Sequence, residues 1–453
     1  MKLSIIGTGY VGLVTGACFA AKGHDVTCVD VDTAKVDRIN RGESPIYELG
    51  LDEILQRNLR EQRIRATTDL RHAVLATQMS MIAVGTPFDG EEIDLRFIKE
   101  AARQIGTALR DKSAYHVVIV KSTVVPGTTS DVVTPLLEEA SGKKAGRDFG
   151  VGMNPEFLRE GEAVNDFMHP DRIVLGGIDA RTIETLEELY EPFTEVEKIH
   201  TNPSTAETIK YTANALLATM ISFSNEIGNL CSGINNVDVV DVMRGVHLDK
   251  RLSPLLRDGQ RITPAFTTYL EAGCGFGGSC FPKDVKALIS YGRKYGAPMN
   301  VLDAVISVNA SQPSTMLPLL RKHFPRLEGV RVTVLGLAFK PGTDDMRESP
   351  AIPIVRELLA EKARVCAFDP IAQHEARKIF GGDHIEFASD LRDAVTNAEA
   401  VLLLTRWPMF GELPQLLAAL PSPPVLIDGR RMLNKHSVPR YEGIGLSRVS
   451  KAA

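Results

Sequence analysis

The segment KLSIIGTGYVGLVTGACFAAKG, residues 2–23, contains the strongest structural signal in the chain. A short, mostly apolar strand is followed by Gly7, Gly9 and Gly12 in a GxGxxG arrangement, and an apolar helix then runs to Gly23. Glycines at such a turn let the backbone approach a pyrophosphate, and the helix N-terminus offers N–H groups and a positive dipole. The segment therefore predicts the first unit of a dinucleotide-binding βαβ fold.

An acid stands where such a fold places the residue that binds the ribose. The next predicted strand, DVTCVDVD, carries Asp30 eighteen residues after Gly12. An acid about 20 residues beyond the glycines accepts hydrogen bonds from the ribose diol and repels a 2′-phosphate. Asp30 therefore predicts NAD rather than NADP, the alternative being that Asp30 or Asp32 only ends a strand.

Length and composition limit the class of protein. The 453 residues correspond to two or three domains, each large enough for its own core. With 44% hydrophobic and 24% charged residues, the chain resembles ordinary globular proteins rather than disordered or fibrous ones. The net charge of -5 is spread without blocks, so neither a nucleic-acid nor a membrane partner is expected.

Cysteine and histidine usage indicates a reducing compartment and no metal. The six cysteines lie far apart without a CxxC pair, which predicts neither a zinc site nor a disulfide framework. His116, His169 and His247 have no metal-ligand spacing. The first apolar run is too short for a signal peptide, and no window approaches 18 consecutive apolar residues. A cytoplasmic location is expected.

The order of predicted elements gives the fold class. Apolar runs recur at residues 79–85 and 116–122 with helical segments between them, as in a parallel sheet covered on both faces. From Ser204 nearly thirty residues keep a helical apolar spacing without proline, which predicts a long helix whose excess apolar surface suggests a subunit contact. Residues 311–329 are punctuated by proline and predict a connector. A second βαβ pattern without GxGxxG begins at Val330.

These elements predict an α/β protein with two Rossmann-like doubly wound domains, joined by a long central helix and a helical middle domain. The expected boundaries are residues 1–203 for the N-terminal dinucleotide domain, 204–312 for the central domain and 313–453 for the C-terminal domain.

Cys280 is the candidate nucleophile. It lies in GFGGSCFPKD, where small residues leave the thiol accessible and Lys283 and Asp284 follow closely. A thiol with a pKa near ~8.5 needs nearby positive charge to become a thiolate at neutral pH. The alternative for any single cysteine is a buried structural role, which suits Cys18 and Cys28 better; Cys274 has less polar company than Cys280.

Further polar residues are candidates because of the segments they occupy. Glu156 and Glu160 lie in the loop NPEFLREGEA, and Lys210 and Asn214 are one helical turn apart, so they project from the same face. Taken alone, each could be a solvated surface group. In GLAFKPGTDDMRESP, Lys340 and Arg347 follow a βα turn of the second sheet, where open α/β sheets bind ligands.

Taken together, the motifs resemble the UDP-glucose 6-dehydrogenase family, within the wider UDP-glucose/GDP-mannose dehydrogenases. The resemblance extends from residue 1 to about residue 433. It is carried by GTGYVGLVTG, VDVDTAKVDRINRGESPIYELGL, VGTP, KSTVVPGT, NPEFLREGEA, AETIKYTANALLA, GFGGSCFPKD and GLAFKPGTDDMRESP. It implies an N-terminal NAD domain, a central helix at the core of a homodimer and a C-terminal domain that holds the UDP of a UDP-sugar.

The resemblance also implies roles for individual residues. The catalytic set is Cys280, Lys210, Asp284, Asn214, Glu160 and Thr123. The NAD contacts are Gly7, Gly9, Tyr10, Val11, Gly12, Asp30, Lys35, Thr86, Thr123, Glu160, Ser279, Lys283 and Arg347. The substrate contacts are Glu156, Phe157, Leu158, Arg159, Glu160, Lys210, Asn214, Tyr269, Leu270, Glu271, Ala272, Gly273, Gly277 and Lys340.

One position departs from the family pattern. Members usually place an arginine about sixteen residues before the catalytic cysteine, where it reaches the substrate of the neighbouring subunit. Here that position is Pro264, and Arg251 and Arg261 are both candidates for the missing arginine.

The implied reaction is the oxidation of the C6 alcohol of UDP-glucose to a carboxylate with two NAD. An aldehyde has no second hydride to give, so a thiolate that traps it as a thiohemiacetal, and then as a thioester, allows the second oxidation. The alternatives are the same chemistry on GDP-mannose or a UDP-N-acetylhexosamine, and a single-hydride dehydrogenase of the 6-phosphogluconate type. A nucleotide-sugar sensor without turnover is a further alternative.

Overall fold

The computed structural model describes residues 1–381 and 384–447. The chain divides into two compact units, residues 1–213 and the residues from 214 onward, and the division falls inside one long helix. Each unit is built around its own sheet.

The first unit is an α/β domain. Its strands are β1 (Lys2–Ile6), β2 (Asp25–Val29), β3 (Ile64–Thr67), β4 (Met79–Ile82), β5 (Val117–Val120), β6 (Gly150–Met153), β7 (Ile173–Gly177) and β8 (Lys198–Thr201). Its helices are α1 (Tyr10–Ala21), α2 (Thr33–Asn40), α3 (Leu51–Arg60), α4 (Leu70–Ala76), α5 (Arg96–Arg110), α6 (Thr134–Ser141), α7 (Ala163–Met168) and α8 (Ala180–Leu189). A π-helical turn at Thr128–Val133 precedes α6.

The order of strands in this sheet is β3-β2-β1-β4-β5-β6-β7-β8. The order reverses between β1 and β4, and in open α/β sheets a ligand binds beyond the carboxyl ends of the strands at such a point. Strands β1, β4 and β5 are mostly apolar, and of their residues only Lys2 is exposed, as a sheet covered on both faces requires. The sheet differs from the predicted parallel one at β6 and β7, which pair antiparallel.

The second unit begins with a helical region. Helix α9 (Pro203–Gly233) carries the chain from the first unit into the second. It is followed by α10 (Val239–His247), α11 (Phe281–Lys294), α12 (Asn300–Ser311) and α13 (Met316–Arg321). A 3-10 turn at Gln312–Thr315 and α13 occupy the segment predicted as a connector, so this segment is largely helical. Leu317 and Leu320 of α13 are fully buried, which gives its helical face a core to pack on.

A second parallel sheet completes this unit. Its strands are β9 (Arg331–Leu335), β10 (Arg364–Phe368), β11 (Ile385–Phe387), β12 (Ala400–Leu403), β13 (Val425–Asp428) and β14 (Tyr441–Gly443), in the order β11-β10-β9-β12-β13-β14. Its helices are α14 (Ala351–Ala360), α15 (Gln373–Ile379), α16 (Leu391–Val395) and α17 (Leu413–Ala418). The predicted fold class, two Rossmann-like domains with a helical middle region, is confirmed.

Candidate functional site

The glycine turn after β1 is shaped for a dinucleotide. Gly7 has φ +99°, and a Cβ there would lie 2.8 Å from the carbonyl oxygen of Ala83. A Cβ on Gly12 would lie 1.9 Å from the carbonyl oxygen of Gly7, so only glycine lets α1 pack against the turn. A Cβ on Gly9 would meet no protein atom within 4 Å. Two glycines are thus required by the protein itself, and the exposed Gly9 keeps open the surface that a pyrophosphate approaches.

Asp30 closes the other side of this turn. Its Oδ2 accepts hydrogen bonds from the backbone N–H of Thr8 at 2.9 Å and from the Thr8 hydroxyl at 2.5 Å, and its Oδ1 accepts from the N–H of Asp32 at 3.0 Å. Burial would raise the pKa of Asp30, but the bonds from Thr8 and Asp32 outweigh it and lower the pKa. Asp30 is therefore an ionised acceptor beside the glycine turn, whereas Asp32 caps α2 through the N–H groups of Ala34 and Lys35.

Other predicted cofactor residues lie at the carboxyl ends of β4 and β5. The hydroxyl of Thr86, after β4, donates to the carbonyl oxygen of Thr123, after β5, at 2.8 Å. Val11 in the first turn of α1 and Lys35 in the first turn of α2 are both partly exposed. These positions, the glycine turn and Asp30 all lie beyond the strand ends of the first sheet, so the residues fit NAD.

The loop after β6 brings Glu156 to Lys210. The Oε1 of Glu156 lies 2.8 Å from the Nζ of Lys210, and both side chains are at most 5% exposed. The Oε2 of Glu156 accepts from the N–H of Leu158 at 2.6 Å. Burial opposes ionisation of Glu156, but Lys210, the N–H of Leu158 and Lys121 together outweigh it and lower the pKa of this carboxyl. The alternative of solvated surface groups is wrong for this pair.

The remaining predicted residues of this loop have structural contacts of their own. The ring of Phe157 contacts two cations, with the guanidinium of Arg172 3.9 Å and the Nζ of Lys210 5.5 Å from its centroid. Arg159 pairs with Asp166 of α7, Nη2 to Oδ1, at 2.6 Å. Glu160 is partly exposed in the same loop.

Two buried charged residues, Lys121 and Glu207, were not singled out by the sequence analysis. Lys121, after β5, is buried and donates to the Oδ1 of Asn154 at 2.9 Å, where the Tyr190 hydroxyl also donates at 2.6 Å. Burial lowers the pKa of Lys121 to about 8; Glu156 opposes this shift and Lys210 adds to it. Lys121 could have been found from the sequence because it lies in the motif KSTVVPGT. Its partners could not, because they are distant along the chain.

Glu207 is the second such residue. It lies in α9, fully buried, and its Oε1 accepts from the N–H of Thr129 at 2.8 Å and from the Thr129 hydroxyl at 2.6 Å. Its Oε2 accepts from the N–H of Gly127 at 2.6 Å. Burial raises the pKa of Glu207 to about 7 in spite of these bonds. The carboxyl thus fixes the loop that begins with Thr123 to the helix that carries Lys210.

In the second unit, Cys280 lies at the N-terminus of α11. It is the residue before Phe281, where the helix begins, and its side chain is partly exposed. The hydroxyl of Ser279 lies 3.6 Å from its Sγ. The positive end of a helix dipole favours a thiolate. The structure therefore gives the Cys280 sulfur both access and a local source of positive potential.

Asp284, one turn further along α11, is 1% exposed and bonded on both oxygens. Its Oδ2 accepts from the Nδ2 of Asn214 at 2.7 Å, and its Oδ1 contacts the ammonium of Lys283. Apolar packing of α9 against α11, which includes Ala215 and Val285, holds the two helices together. Asn214, Lys283 and Asp284 thus form one polar group beside Cys280, in which Asn214 and Asp284 are buried.

The loop before Cys280 packs closely on the segment that carries the predicted residues of the second sheet. A Cβ on Gly277 would lie 2.2 Å from the carbonyl oxygen of Glu348. The N–H of Gly278 donates to the carbonyl oxygen of Arg347 at 2.8 Å, and the Arg347 guanidinium pairs with Asp345. Lys340, near the start of this segment, is partly exposed. Glycine at 277 therefore permits the close approach of two backbones.

Residues 269–273 form a separate loop that is held from several sides. Gly273 donates its N–H to the Oδ1 of Asn225 at 2.8 Å, and its carbonyl oxygen accepts from Gln312 at 2.8 Å. Glu271 pairs with Arg406, an arginine that the sequence analysis did not single out. Tyr269 ends a 3-10 turn, with its ring centroid 6.3 Å from that of Phe281, and Leu270 and Ala272 are buried.

The two candidate arginines differ in environment. The Nη1 of Arg261 donates to the carbonyl oxygens of Leu248 and Ser253 at 2.8 and 2.7 Å, so this guanidinium supports its own loop. Arg251 is 88% exposed and pairs with Asp249.

The other cysteines and histidines have structural surroundings. None of the six cysteines forms a disulfide, and Cys18, Cys28, Cys231 and Cys274 are buried. His116 is buried against Ser80, and burial lowers its pKa to about 3. Within residues 1–381 and 384–447, no group of three or more His, Cys, Asp or Glu side chains is arranged to hold a metal ion. No helix in the described part of the chain is long and apolar enough to cross a membrane.

A glycine turn at the reversal of a parallel sheet, with an ionised acid on the neighbouring strand, defines the class of NAD-binding dehydrogenase domains. Comparison with known families gives the assignment within this class. The NAD binding domain of the UDP-glucose/GDP-mannose dehydrogenase family matches residues 1–194, its central domain residues 204–311 and its UDP binding domain residues 333–435. The chain belongs to the UDP-glucose/GDP-mannose dehydrogenase family.

Individual relatives agree over almost the whole length. UDP-glucose 6-dehydrogenase AglM of Haloferax volcanii is 44% identical, with 98% of this chain and 100% of the relative aligned. GDP-mannose 6-dehydrogenase of Azotobacter vinelandii is 39% identical over 91% of this chain and 93% of its own. The solved structure of a UDP-glucose dehydrogenase from Pyrobaculum islandicum is 40% identical with a TM-score of 0.88, covering 98% and 97% of the two chains.

The family membership makes the protein an NAD-dependent nucleotide-sugar dehydrogenase, which confirms the predicted resemblance, enzyme class and cofactor. The roles of individual site residues and the three domain boundaries stay predictions.

Proposed function

We propose that the enzyme oxidises the C6 alcohol of UDP-glucose to the carboxylate of UDP-glucuronate, consuming two NAD and one water and yielding two NADH. The relative from Haloferax volcanii, 44% identical over 98% of this chain, is a UDP-glucose 6-dehydrogenase. The observation that carries the proposal is Cys280, a partly exposed thiol at a helix N-terminus one turn from a buried Asp284.

The first unit would hold the cofactor. When bound, NAD supplies the two-electron acceptor for each of the two oxidations. Gly7, Gly9 and Gly12 would receive the pyrophosphate, and Asp30 would accept hydrogen bonds from the ribose. Lys35, Thr86, Thr123 and the backbone of Tyr10 and Val11 would line the same strand ends, and Glu160, Ser279, Lys283 and Arg347 complete the proposed set.

Lys210 supports the first oxidation. An ammonium paired with Glu156 stabilises negative charge that develops on the C6 oxygen, because it donates a charge-assisted hydrogen bond. The same pairing keeps Lys210 a donor, which favours a water oriented by Lys210 as the acceptor of the hydroxyl proton.

Cys280 supports the second oxidation. Its thiolate attacks the aldehyde carbon, forming a C–S bond, and Lys210 and Asn214 stabilise the oxyanion of the resulting thiohemiacetal. Loss of the remaining hydride leaves a thioester on Cys280. Water oriented by Asp284 or Glu160 then breaks the C–S bond, giving the carboxylate and returning the thiol.

The substrate contacts complete the proposal. The sugar would be faced by the loop after β6, through Glu156, Phe157, Leu158, Arg159 and Glu160. The remainder of the UDP-sugar would be contacted by residues of the second unit, namely Tyr269, Leu270, Glu271, Ala272, Gly273, Gly277 and Lys340. We also propose a division into domains at residues 1–203, 204–312 and 313–453. We further propose a homodimer in the cytoplasm, a location in keeping with six cysteines that form no disulfide.

The proposal is tested by counting NADH formed per sugar nucleotide with limiting UDP-glucose. The wild-type enzyme is expected to give two, and Cys280→Ser is expected to stop before the second NADH, because its hydroxyl is a far weaker nucleophile and does not trap the aldehyde. Cys366→Ser, at another partly exposed cysteine, is the control and keeps the wild-type count. A Cys280→Ser enzyme that still forms two NADH per sugar contradicts the covalent role.

GDP-mannose is the second candidate substrate, because a GDP-mannose 6-dehydrogenase aligns at 39% identity over 91% of this chain. The NADH count is repeated with GDP-mannose and UDP-N-acetylhexosamines, and kcat/KM is measured for each sugar nucleotide. The substrate with the highest kcat/KM is the preferred one. A yield of one NADH per substrate would instead indicate a single-hydride dehydrogenase.

A further inference from the structure

Glu48 has no role in the proposed reaction, although it lies in the motif ESPIYELGL. It belongs to the connection between α2 and α3 and is only 7% exposed. Burying a carboxylate is costly unless hydrogen bonds replace its water. Its partners therefore indicate what it does.

The Glu48 carboxylate joins two segments that are more than a hundred residues apart. Its Oε2 accepts from the Tyr10 hydroxyl and from the N–H of Gly161, the latter at 2.7 Å. Its Oε1 accepts from the N–H of Ala163 at 2.7 Å and of Val164 at 3.4 Å. Burial, followed by the neighbouring Glu48, raises the pKa of Tyr10, so this hydroxyl stays protonated and donates.

This arrangement replaces a local helix cap by a remote one. Helix α7 begins at Ala163, and the side chain of Glu162 before it makes no capping bond. Glu48 instead accepts the N–H groups at the start of α7, and Gly161 enters this turn with φ +83°. The start of α7, and with it the end of the loop that carries Glu156 and Glu160, therefore depends on Glu48.

The other partner of Glu48 belongs to the dinucleotide turn. Tyr10 follows Gly9 and is the first residue of α1, so the position of its side chain follows that of the helix N-terminus. The Tyr10 hydroxyl also lies 2.7 Å from the N–H of Gly161. Tyr10, Ile46, Leu158 and Val164 pack against one apolar cluster, which fixes the geometry of the three segments.

We propose that Glu48 is a positioning residue that couples dinucleotide binding at the α1 turn to the conformation of the loop carrying Glu156 and Glu160. This inference rests on the proposed function, in which that loop faces the sugar. When a dinucleotide orders the N-terminus of α1, Tyr10 holds Glu48, and Glu48 holds the start of α7. Cofactor and sugar nucleotide therefore bind with positive coupling.

The coupling can be measured without turnover. Isothermal titration gives the Kd of NADH alone and in the presence of saturating sugar nucleotide, because NADH cannot oxidise the sugar. The sugar nucleotide is the one that the wild-type enzyme oxidises in the NADH count. A substrate other than UDP-glucose thus overturns the substrate proposal and leaves this test intact.

The variants are Glu48→Gln, Tyr10→Phe and the double variant, with Glu53→Gln on the exposed surface of α3 as the matched control. The wild type and the control are expected to bind NADH about tenfold more tightly with the sugar nucleotide than without it. The ratio is expected to fall to about one in each variant, and the double variant to show no further loss, because both residues act through the same contact.

Three results would overturn the proposal. The first is a wild-type enzyme whose NADH affinity is independent of the sugar nucleotide. The second is Glu48→Gln with unchanged coupling, and the third is Glu48→Gln with both affinities weakened equally, as a merely structural role predicts. If Glu48→Gln does not fold, Tyr10→Phe decides, because it keeps the cap on α7 and removes only the link to α1.

Discussion

At the scale of the residue, partners rather than residue type decide what the charged groups of the first unit do. Lys210 on a helix surface would be solvated, but here Glu156 pairs with it at 2.8 Å in a buried position. Removing one member of a buried ion pair leaves an uncompensated charge and lowers the free energy of unfolding by about 3–5 kcal/mol. The sequence predicted that Lys210 and Asn214 share a helix face; it could not predict Glu156 or Asp284 as partners, since both contacts span more than fifty residues.

Glu207 leads to a prediction about pH. Its pKa is raised from 4.5 to about 7 by burial. Between these values the folded chain keeps a proton that the unfolded chain has released, so Glu207 lowers the free energy of unfolding as pH rises through this window, by roughly 3 kcal/mol in total. Glu207→Gln has no such proton. We therefore expect the urea midpoint of Glu207→Gln to rise relative to that of the wild type as the pH increases from about 5 to 7.5.

The control for this prediction is Glu184→Gln on the exposed surface of α8. Its urea midpoint should follow the wild-type pH profile. Parallel pH profiles of Glu207→Gln and the wild type would mean that Glu207 is already ionised in the folded state.

At the scale of the element, the strand, glycine turn and helix at the N-terminus were predictable because the pattern that specifies them, an apolar strand, glycines at fixed spacing and an apolar helix, is contiguous in the chain. Strand β1, helix α1 and the long helix α9 all lie close to where periodicity places them. The antiparallel β7 and the helical segment after Ser311 were not predictable in this way. Strand direction and the burial of α13 depend on neighbours that are distant along the chain.

The glycine turn allows a prediction with paired variants. Gly12→Ala places a methyl group 1.9 Å from the Gly7 carbonyl oxygen, so α1 must move and the thermal midpoint should fall by several degrees. Gly9→Ala meets no protein atom within 4 Å, so the midpoint should stay at the wild-type value. Both variants should raise the Kd of NADH by about tenfold or more. The methyl group of Gly9→Ala obstructs the pyrophosphate, and Gly12→Ala displaces the helix N-terminus that receives it.

Gly411→Ala in the second unit, where a Cβ also meets no atom within 4 Å, is the control for both measurements. Thermal melts and NADH titrations of the three variants separate the two roles of glycine. Wild-type NADH affinity in Gly9→Ala would show that the pyrophosphate does not approach this residue.

At the scale of the whole molecule, the first six strands of the first sheet have the same order as the six strands of the second sheet, but the two sheets differ in chemistry. Asp369, after β10, corresponds in position to Asp30 after β2, but it is fully buried and accepts from the N–H groups of Leu337, Ala338, Ile371 and Ala372. Trp407 donates to the same carboxylate. An acid engaged this way stabilises its own turn instead of offering oxygens to a ribose. The missing GxGxxG predicted the difference from the sequence; the partners of Asp369 were visible only in the structure.

Helix α9 has an exposed apolar face through which two copies of the chain could form a dimer. Leu216, Phe223 and Leu230 are 58, 49 and 59% exposed and recur every seven residues, which places them nearly on one face. A stripe of large exposed apolar side chains on a long helix is typical of a surface that a partner covers.

We expect light scattering to give about twice the chain mass of 49.4 kDa, because a second copy of the chain covers this face of α9. Phe223→Glu should give the monomer mass, since a dimer would bury its charge without a partner. Phe97→Glu is the matched control, an aromatic side chain on α5 that is 54% exposed, and it should leave the mass unchanged. A wild-type monomer, or a dimer that survives Phe223→Glu, would contradict assembly through this face of α9.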